Sequence, residues 1–129
     1  MNHIASPDNS DPGIERQILA KGLTAPRVTP ADLQANIKSV HFFRASDGVM
    51  GAGGTRPDET VLQSLDLLTF CVIVLQNGFT VTGESAVASP ENFDADIGKQ
   101  IARANAENKI WPLMGYALKQ QLHQAQEAA

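Results

Sequence analysis

Residues 67–88, LLTFCVIVLQNGFTVTGESAVA, set the fold of this chain. The segment opens with an almost wholly apolar run through Leu75, and polar and apolar residues alternate after Asn77-Gly78. Asn-Gly supplies the positive φ angles that a type I′ turn requires, so the pattern predicts a β-hairpin. The apolar run predicts a first strand that is buried on both faces. Cys71 would then be a small core residue rather than a catalytic thiolate.

Helices and one further strand are predicted before the hairpin. Apolar residues at helical spacing predict a short amphipathic helix over residues 14–22, closed by a glycine. Thr29 is a hydroxyl N-cap followed by proline, which predicts a second helix that runs to about Lys38. Residues 40–44 are typical of a strand. The four glycines and one proline of residues 48–57 predict a mobile loop, whose match to a phosphate-binding loop is poor.

The period of the pattern changes after the hairpin. Ser89-Pro90 offers an N-cap and a first-position proline, and apolar residues then recur every three or four positions over residues 93–122. This spacing predicts one long amphipathic helix or two. Because Pro112 lacks an amide hydrogen, we expect a break or kink around residues 108–111.

These elements together predict an α+β fold: a small antiparallel β-sheet with N-terminal helices and a C-terminal helical segment. A length of 129 residues is typical of one domain, which we place at residues 14–123. Residues 1–13 are polar and rich in turn formers, so we expect a flexible tail there. We expect residues 124–129 to form a frayed C-terminal tail.

The composition of the chain argues against several functional classes. Fourteen acidic residues against ten basic ones give a net charge of −4, which argues against general nucleic-acid binding. The single cysteine excludes disulfides and cysteine-based zinc sites, and the three histidines are scattered, so we expect no metal site and no cofactor. The sequence has no signal-peptide pattern and no apolar run long enough to cross a bilayer, which favours a cytoplasmic protein.

The sequence offers no recognisable catalytic set. Asp94 and Asp96 could be paired carboxylates, but residues two positions apart on a helix point about 200° away from each other. Glu84 and Ser85 have no histidine nearby in sequence, and no Ser/His/Asp arrangement is recognisable. We therefore expect a protein that is not an enzyme.

Side chains suited to nucleotide recognition occur instead on or near the C-terminal helix, at Asn92, Phe93, Arg103, Asn105 and Trp111. Bases stack on aromatic faces, phosphates accept charge-assisted hydrogen bonds from arginine, and amides read base or ribose edges. Core packing is the alternative role of Phe93 and Trp111, which lie on the apolar stripe. A solvated helix face is the alternative for Arg103.

Four segments resemble a family of small tailed-phage proteins, most of unknown function: KGLTAPRVTP at residues 21–30, NGFTVTGES at 77–85, PENFD at 90–94 and KIWPLMGY at 109–116. The fold and motifs are also similar to those of phage Thoeris anti-defence proteins of the first type. Such proteins are non-enzymatic sponges that bind cyclic ADP-ribose isomers made by bacterial TIR-domain enzymes, and so stop immune signalling. The resemblance implies a homo-oligomer with ligand pockets between subunits.

The resemblance also implies that arginine, asparagine and aromatic side chains hold the ligand. On this basis the predicted ligand-binding residues are Arg27, Phe79, Asn92, Phe93, Arg103 and Asn105. Arg44 and Arg56 are further candidate arginines, and a contribution from Arg56 would make the glycine-rich loop a lid. Many relatives carry cysteine where this chain has Val87, which argues against thiol chemistry in the family.

Two hypotheses for function follow. In the first, the chain is a phage-encoded anti-defence sponge that sequesters a cyclic nucleotide, either a cyclic ADP-ribose isomer or a cyclic oligonucleotide, in the cytoplasm of the infected bacterium. In the second, it is a small phage interaction protein whose C-terminal amphipathic helix binds a host or phage protein. An enzyme ranks third.

Overall fold

The structure is a computed structural model that describes residues 11–128, and it is built around one antiparallel sheet with the strand order β1-β2-β3. Helices precede and follow the strands, which confirms the predicted α+β fold with N-terminal helices and a C-terminal helical segment. The elements are α1 Asp11–Ala20, α2 Pro30–Ala35, β1 Ile37–Arg44, α3 Ala45–Ala52, α4 Glu59–Leu65, β2 Leu68–Leu75, β3 Thr80–Ala86, a 3-10 helix Pro90–Asn92, and α5 Ala95–Ala128.

The chain divides into two compact units. One unit comprises residues 36–110 and contains the sheet, α3, α4 and the first half of α5. The other contains α1, α2 and the part of α5 from Trp111 onward. Residues 1–10 of the predicted N-terminal tail lie outside the described residues, and residues 124–128 of the predicted C-terminal tail belong to α5. The single domain over residues 14–123 stays a prediction.

The β2–β3 hairpin is confirmed, with Val74 opposite Thr80. The predicted type I′ turn is wrong, because Gly78 has a φ of 89° whereas no non-glycine residue among those described has a positive φ. The Gly78 amide donates to the Leu75 carbonyl at 2.9 Å, and the Leu75 amide donates to the Phe79 carbonyl at 2.8 Å. These bonds define a type I turn followed by a left-handed glycine, the usual three-residue hairpin loop.

Only one face of β2 is fully buried, so the prediction of burial on both faces is wrong. The fully buried positions alternate with half-buried ones along the strand; they are Thr69, Cys71, Ile73 and Leu75. Cys71 has no exposed surface, which confirms its place in the core, and burial raises the pKa of its thiol. The opposite face carries a stacked pair, Phe43 and Phe70, whose ring centroids are 5.4 Å apart.

The first half of α5 packs on the sheet through small residues. Gly98, Ala102, Ala106 and Ile110 are its buried residues, at four-residue spacing. Gly83 of β3 meets the backbone of this helix, since a Cβ at position 83 would lie 2.9 Å from the Ala106 Cα. The Asn105 side chain donates a hydrogen bond to the Glu84 carbonyl at 2.8 Å. Glycine and alanine therefore permit a close helix–sheet contact that fixes the first turns of α5 relative to the strands.

The N-terminal predictions are correct in part. Thr29 is confirmed as a cap: its hydroxyl accepts from the Asp32 amide at 3.0 Å, and the Asp32 carboxylate accepts from the Thr29 amide at 3.0 Å. The helix ends at Ala35, before the predicted Lys38, because β1 begins at Ile37 rather than at residue 40. The predicted loop over residues 48–57 is wrong in its first part, where α3 continues to Ala52.

The C-terminal predictions need two corrections. Ser89 does not begin the long helix; it precedes the 3-10 helix, and Asp94 caps α5 by accepting a hydrogen bond from the Ile97 amide at 3.0 Å. We expected a break or a kink around residues 108–111; a break is absent, because α5 continues through Pro112 to Ala128, and a kink there stays a prediction. A proline removes only one backbone hydrogen bond, and the turns on either side of it retain theirs.

Candidate functional site

One pocket is lined by two cationic and three aromatic side chains. It lies in the unit of residues 36–110, where β1 ends and α3 begins, and it has a volume of about 220 Å³. Its walls come from the end of β1, the start of β2, the first turn of α3 and the start of α5. The lining residues are Phe42, Phe43, Arg44, Asp47, Thr69, Phe93, Ala95 and Lys99.

Local structure explains how these residues meet. Arg44 ends β1 opposite Thr69 of β2, and α3 follows without a linker. The Arg44 backbone amide donates to the Asp47 carboxylate at 3.0 Å, which holds that carboxylate at the pocket. Gly98 brings α5 against Thr69, because a Cβ at position 98 would lie 3.2 Å from the Thr69 Oγ1. Lys99, the next residue, therefore reaches the same pocket.

Both cations of the pocket lie over aromatic rings. The Arg44 guanidinium carbon is 5.0 Å from the centroid of the Phe93 ring, and the Lys99 Nζ is 5.8 Å from the centroid of Phe42. Within residues 11–128 neither cation forms an ion pair. With Asp47 as the carboxylate in the lining, the pocket carries a net positive charge in a chain whose net charge is −4.

This arrangement suits an anionic ligand that has a planar part. A ring attracts a cation through its electron-rich face and leaves the charge uncompensated. An arginine held in this way keeps the N–H donors at its edge available for a phosphate. Ligand pockets for molecules of drug size have volumes of roughly 300–1,000 Å³. The volume of about 220 Å³ therefore fits one portion of a nucleotide rather than a whole cyclic dinucleotide.

Phe93 is the predicted ligand residue that lines this pocket. Asn92 precedes it at the exposed end of the 3-10 helix. Arg103 lies one helical turn after Lys99, where its Nε donates to the Glu107 carboxylate at 2.9 Å. Asn105 lies two residues further along α5, and its side chain donates to the Glu84 carbonyl at 2.8 Å.

The remaining predicted residues lie elsewhere. Phe79 is 54% exposed at the hairpin tip, and the six residues of β2 between the tip and Thr69 correspond to roughly 20 Å. Arg27 belongs to the other unit, where its guanidinium donates two hydrogen bonds to Glu15 at 2.9 and 2.7 Å. These bonds lower the pKa of Glu15 and raise that of Arg27. The ligand-binding role of the predicted set stays a prediction.

Two cationic residues of the pocket were absent from the predicted ligand set. Arg44 is one of the further candidate arginines, but it lies outside the matched motifs. Lys99 had none, because its partner Phe42 lies 57 positions earlier and only the packing of α5 on the sheet brings them together. Sequence spacing does not indicate that Lys99 and Phe42 lie close together.

A second pocket in the same unit contains Arg56, one of the further candidate arginines. Its volume is about 280 Å³, and its polar lining consists of Ser46, Asp47, Arg56, Glu59 and Asp66. Arg56 faces Glu59 at 3.5 Å, and the Ser46 hydroxyl donates to Asp66. In the part of the chain that the structure describes, no group of three or more His, Cys, Asp or Glu side chains could hold a metal ion.

The fold and the pocket together define a small α+β protein with a cationic, aromatic-lined cavity at one end of its sheet. The chain belongs to the phage protein (N4 Gp49/phage Sf6 gene 66) family, whose model matches residues 28–122. The predicted membership of a phage protein family is thereby confirmed. No curated protein and no solved structure matches the chain. Between residues 11 and 128, every helix is too short or too polar to cross a membrane.

Proposed function

We propose that this phage protein is a non-enzymatic anti-defence sponge, which binds a cyclic nucleotide immune signal in the infected bacterium and withholds it from its receptor. The ligand would be a cyclic ADP-ribose isomer or a cyclic oligonucleotide. The observation that carries the proposal is the pocket in which Arg44 and Lys99 lie over Phe93 and Phe42. The motif resemblance to the Thoeris anti-defence proteins agrees with this chemistry.

Binding without cleavage suits the lining of the pocket. Its polar groups are a guanidinium, an ammonium, a carboxylate and the Thr69 hydroxyl. Hydrolysis of a phosphoester or glycosidic bond needs an activated nucleophile or a matched acid and base. Thr69 has no histidine beside it in the lining, and the Asp47 carboxylate accepts a hydrogen bond from the Arg44 backbone amide. The pocket is therefore better suited to hold an anion than to transform it.

The size of the pocket favours a ligand shared between subunits. A cavity of about 220 Å³ encloses one phosphate with part of its sugar or base, and the rest of a cyclic nucleotide would extend beyond it. A second copy of the chain would cover that remainder in a homo-oligomer. Such sharing would bury the ligand, and burial strengthens charge-assisted hydrogen bonds.

Binding measurements on three charge variants test the proposal. Isothermal titration calorimetry of cyclic ADP-ribose and of cyclic di-AMP would compare the wild-type protein with Arg44→Gln, Lys99→Gln and Lys109→Gln. A hydrogen bond to a charged group contributes about 1.5–3 kcal/mol, so each pocket variant should lose roughly 10–100-fold in affinity. Lys109→Gln removes the same charge from an exposed position of α5 outside the pocket lining and should bind as the wild type does.

One outcome would refute the proposal directly: equal affinity in the wild type, Arg44→Gln and Lys99→Gln would show that any bound nucleotide lies elsewhere. The interaction-protein hypothesis has its own support on the later turns of α5, where Leu113 is 39% exposed and Tyr116 is 73% exposed. If no nucleotide binds and the pair Leu113→Ser and Tyr116→Ser abolishes capture of a specific host or phage protein, the second function replaces the first.

A further inference from the structure

We infer that Phe93 is a positioning residue, whose ring holds the Arg44 guanidinium away from Asp47 and so keeps its charge available to a bound anion. The effect of Phe93 on ligand affinity rests on the proposed function. The position of the Arg44 side chain over the Phe93 ring does not, because it is a property of the unliganded protein. The two parts can therefore be tested separately.

Arg44 and Asp47 are near enough to pair, since Arg44 directly precedes α3 and Asp47 lies in its first turn. The Asp47 carboxylate already accepts a hydrogen bond from the Arg44 backbone amide at 3.0 Å, and both side chains line one pocket of about 220 Å³. Arginine and aspartate in such proximity commonly form a bidentate ion pair. Within residues 11–128 the Arg44 guanidinium forms no ion pair, and its central carbon lies 5.0 Å from the Phe93 ring centroid.

Whether the Arg44 guanidinium contacts the Asp47 carboxylate or the Phe93 ring decides the charge that the pocket offers to a ligand. An ion pair with Asp47 would neutralise Arg44 and occupy its donors, whereas a ring face attracts the guanidinium and leaves its positive charge uncompensated. The ring also leaves the N–H groups at the guanidinium edge available to a phosphate oxygen. Phe93 thus favours the arginine state that can bind an anion.

The backbone around Phe93 fixes the ring in place. The Phe93 amide donates to the Pro90 carbonyl at 3.1 Å, which closes the 3-10 helix. The next residue, Asp94, caps α5 through the Ile97 amide at 3.0 Å. Phe93 is therefore held between two short-range anchors, and its side chain is half-buried against the pocket. This constraint distinguishes it from a ring on a free loop.

A double-mutant cycle tests the inference in binding. The variants are Phe93→Leu, Phe93→Tyr, Asp47→Asn and the double variant Phe93→Leu/Asp47→Asn, titrated with cyclic ADP-ribose and cyclic di-AMP. Phe93→Leu should bind about tenfold more weakly, and Phe93→Tyr should stay within about twofold of the wild type because it retains a ring face. In the Asp47→Asn background, Phe93→Leu should cost less than about threefold, since the competing carboxylate is gone.

Nuclear magnetic resonance of the unliganded protein tests the structural part. The ring current of Phe93 should shift the Arg44 Hδ protons upfield in the wild type and in Phe93→Tyr, and this shift should disappear in Phe93→Leu. Full affinity of Phe93→Leu, or an equal loss from Phe93→Leu with and without Asp47→Asn, would overturn the inference. Absence of the upfield shift in the wild type would also overturn it. If the shift is present but the wild type binds no cyclic ADP-ribose isomer and no cyclic di- or trinucleotide, the positioning role stands and the proposed function falls.

Discussion

Gly83→Ala tests the close packing of α5 that places Lys99 at the pocket. The added Cβ would lie 2.9 Å from the Ala106 Cα and would also meet the backbone of Ala102. Carbon atoms pack best at about 3.5–4.0 Å, so the helix must retreat by about 1 Å. Overpacking costs about 1–3 kcal/mol, and the upper value applies because both clashing neighbours are backbone atoms.

One opposing effect reduces this cost. Replacing glycine by alanine lowers the entropy of the unfolded chain, which stabilises a protein by up to about 1 kcal/mol where the backbone is compatible. Gly83 is compatible, because it is not among the glycines with positive φ. The expected net loss in the free energy of unfolding is about 2 kcal/mol, which lowers the midpoint of a urea titration followed by circular dichroism by about 1 M.

Gly115→Ala, in α5 itself, is the matched control for Gly83→Ala in β3. A Cβ at position 115 would meet nothing within 4 Å, and position 115 is an exposed helix interior. Alanine is favoured over glycine there by about 1 kcal/mol, so this variant should be more stable than the wild type. If Gly83→Ala matched or exceeded the stability of the wild type, the packing of α5 against β3 described above would be wrong.

Three further predictions concern the cap of α5, the ion pair between Arg27 and Glu15, and the buried Cys71 thiol. Asp94→Ala should lower the free energy of unfolding by about 1 kcal/mol, because it removes the acceptor for the Ile97 amide; Asp94→Asn should retain most of it. Hydrogen bonds from Arg27 lower the pKa of Glu15, so the stabilisation from this pair is present at neutral pH and is lost as the pH falls below the usual carboxyl range; Glu15→Gln should flatten that part of a stability–pH curve. Cys71 should react with Ellman's reagent only as the protein unfolds, since it is fully buried and burial raises the pKa of its thiol; rapid reaction of the folded protein at pH 7 would contradict its core position.

The elements of this fold that depend on local signals could be predicted from sequence. The hairpin at Asn77-Gly78 and the Thr29 cap are set by residues close together in the chain, and both are present. The turn type was wrong because Gly78 alone supplies the left-handed residue, and a three-residue loop needs only one. The glycines of α3 suggested a loop, but Gly48 lies in a helix that packs against the Phe43 ring, since a Cβ at position 48 would lie 3.5 Å from the Phe43 Cε2.

The pocket could be predicted only in part. Phe93 was identified because it lies in a motif rich in side chains that bind nucleotides. Arg44 and Lys99 reach the pocket through tertiary packing, since Gly98 of α5 lies against Thr69 of β2 and the Lys99 Nζ lies over Phe42 of β1. Arg27 was selected from its motif, yet its guanidinium is paired with Glu15, twelve positions earlier. The carboxylate that pairs with an arginine often lies on another helix or strand, so sequence spacing does not identify it. These ion pairs decide which arginines keep an uncompensated charge.

Native mass spectrometry of the purified protein with cyclic ADP-ribose isomers, cyclic di- and trinucleotides and linear controls tests the central claim most directly. It reports the oligomeric state, the stoichiometry and the mass of the bound ligand in one experiment. The account predicts an intact cyclic nucleotide retained at a fixed ratio per oligomer by the wild type and by Lys109→Gln, and lost from Arg44→Gln. A bound ligand with the mass of a cleaved product, or no retention of any cyclic nucleotide by the wild type, would contradict it.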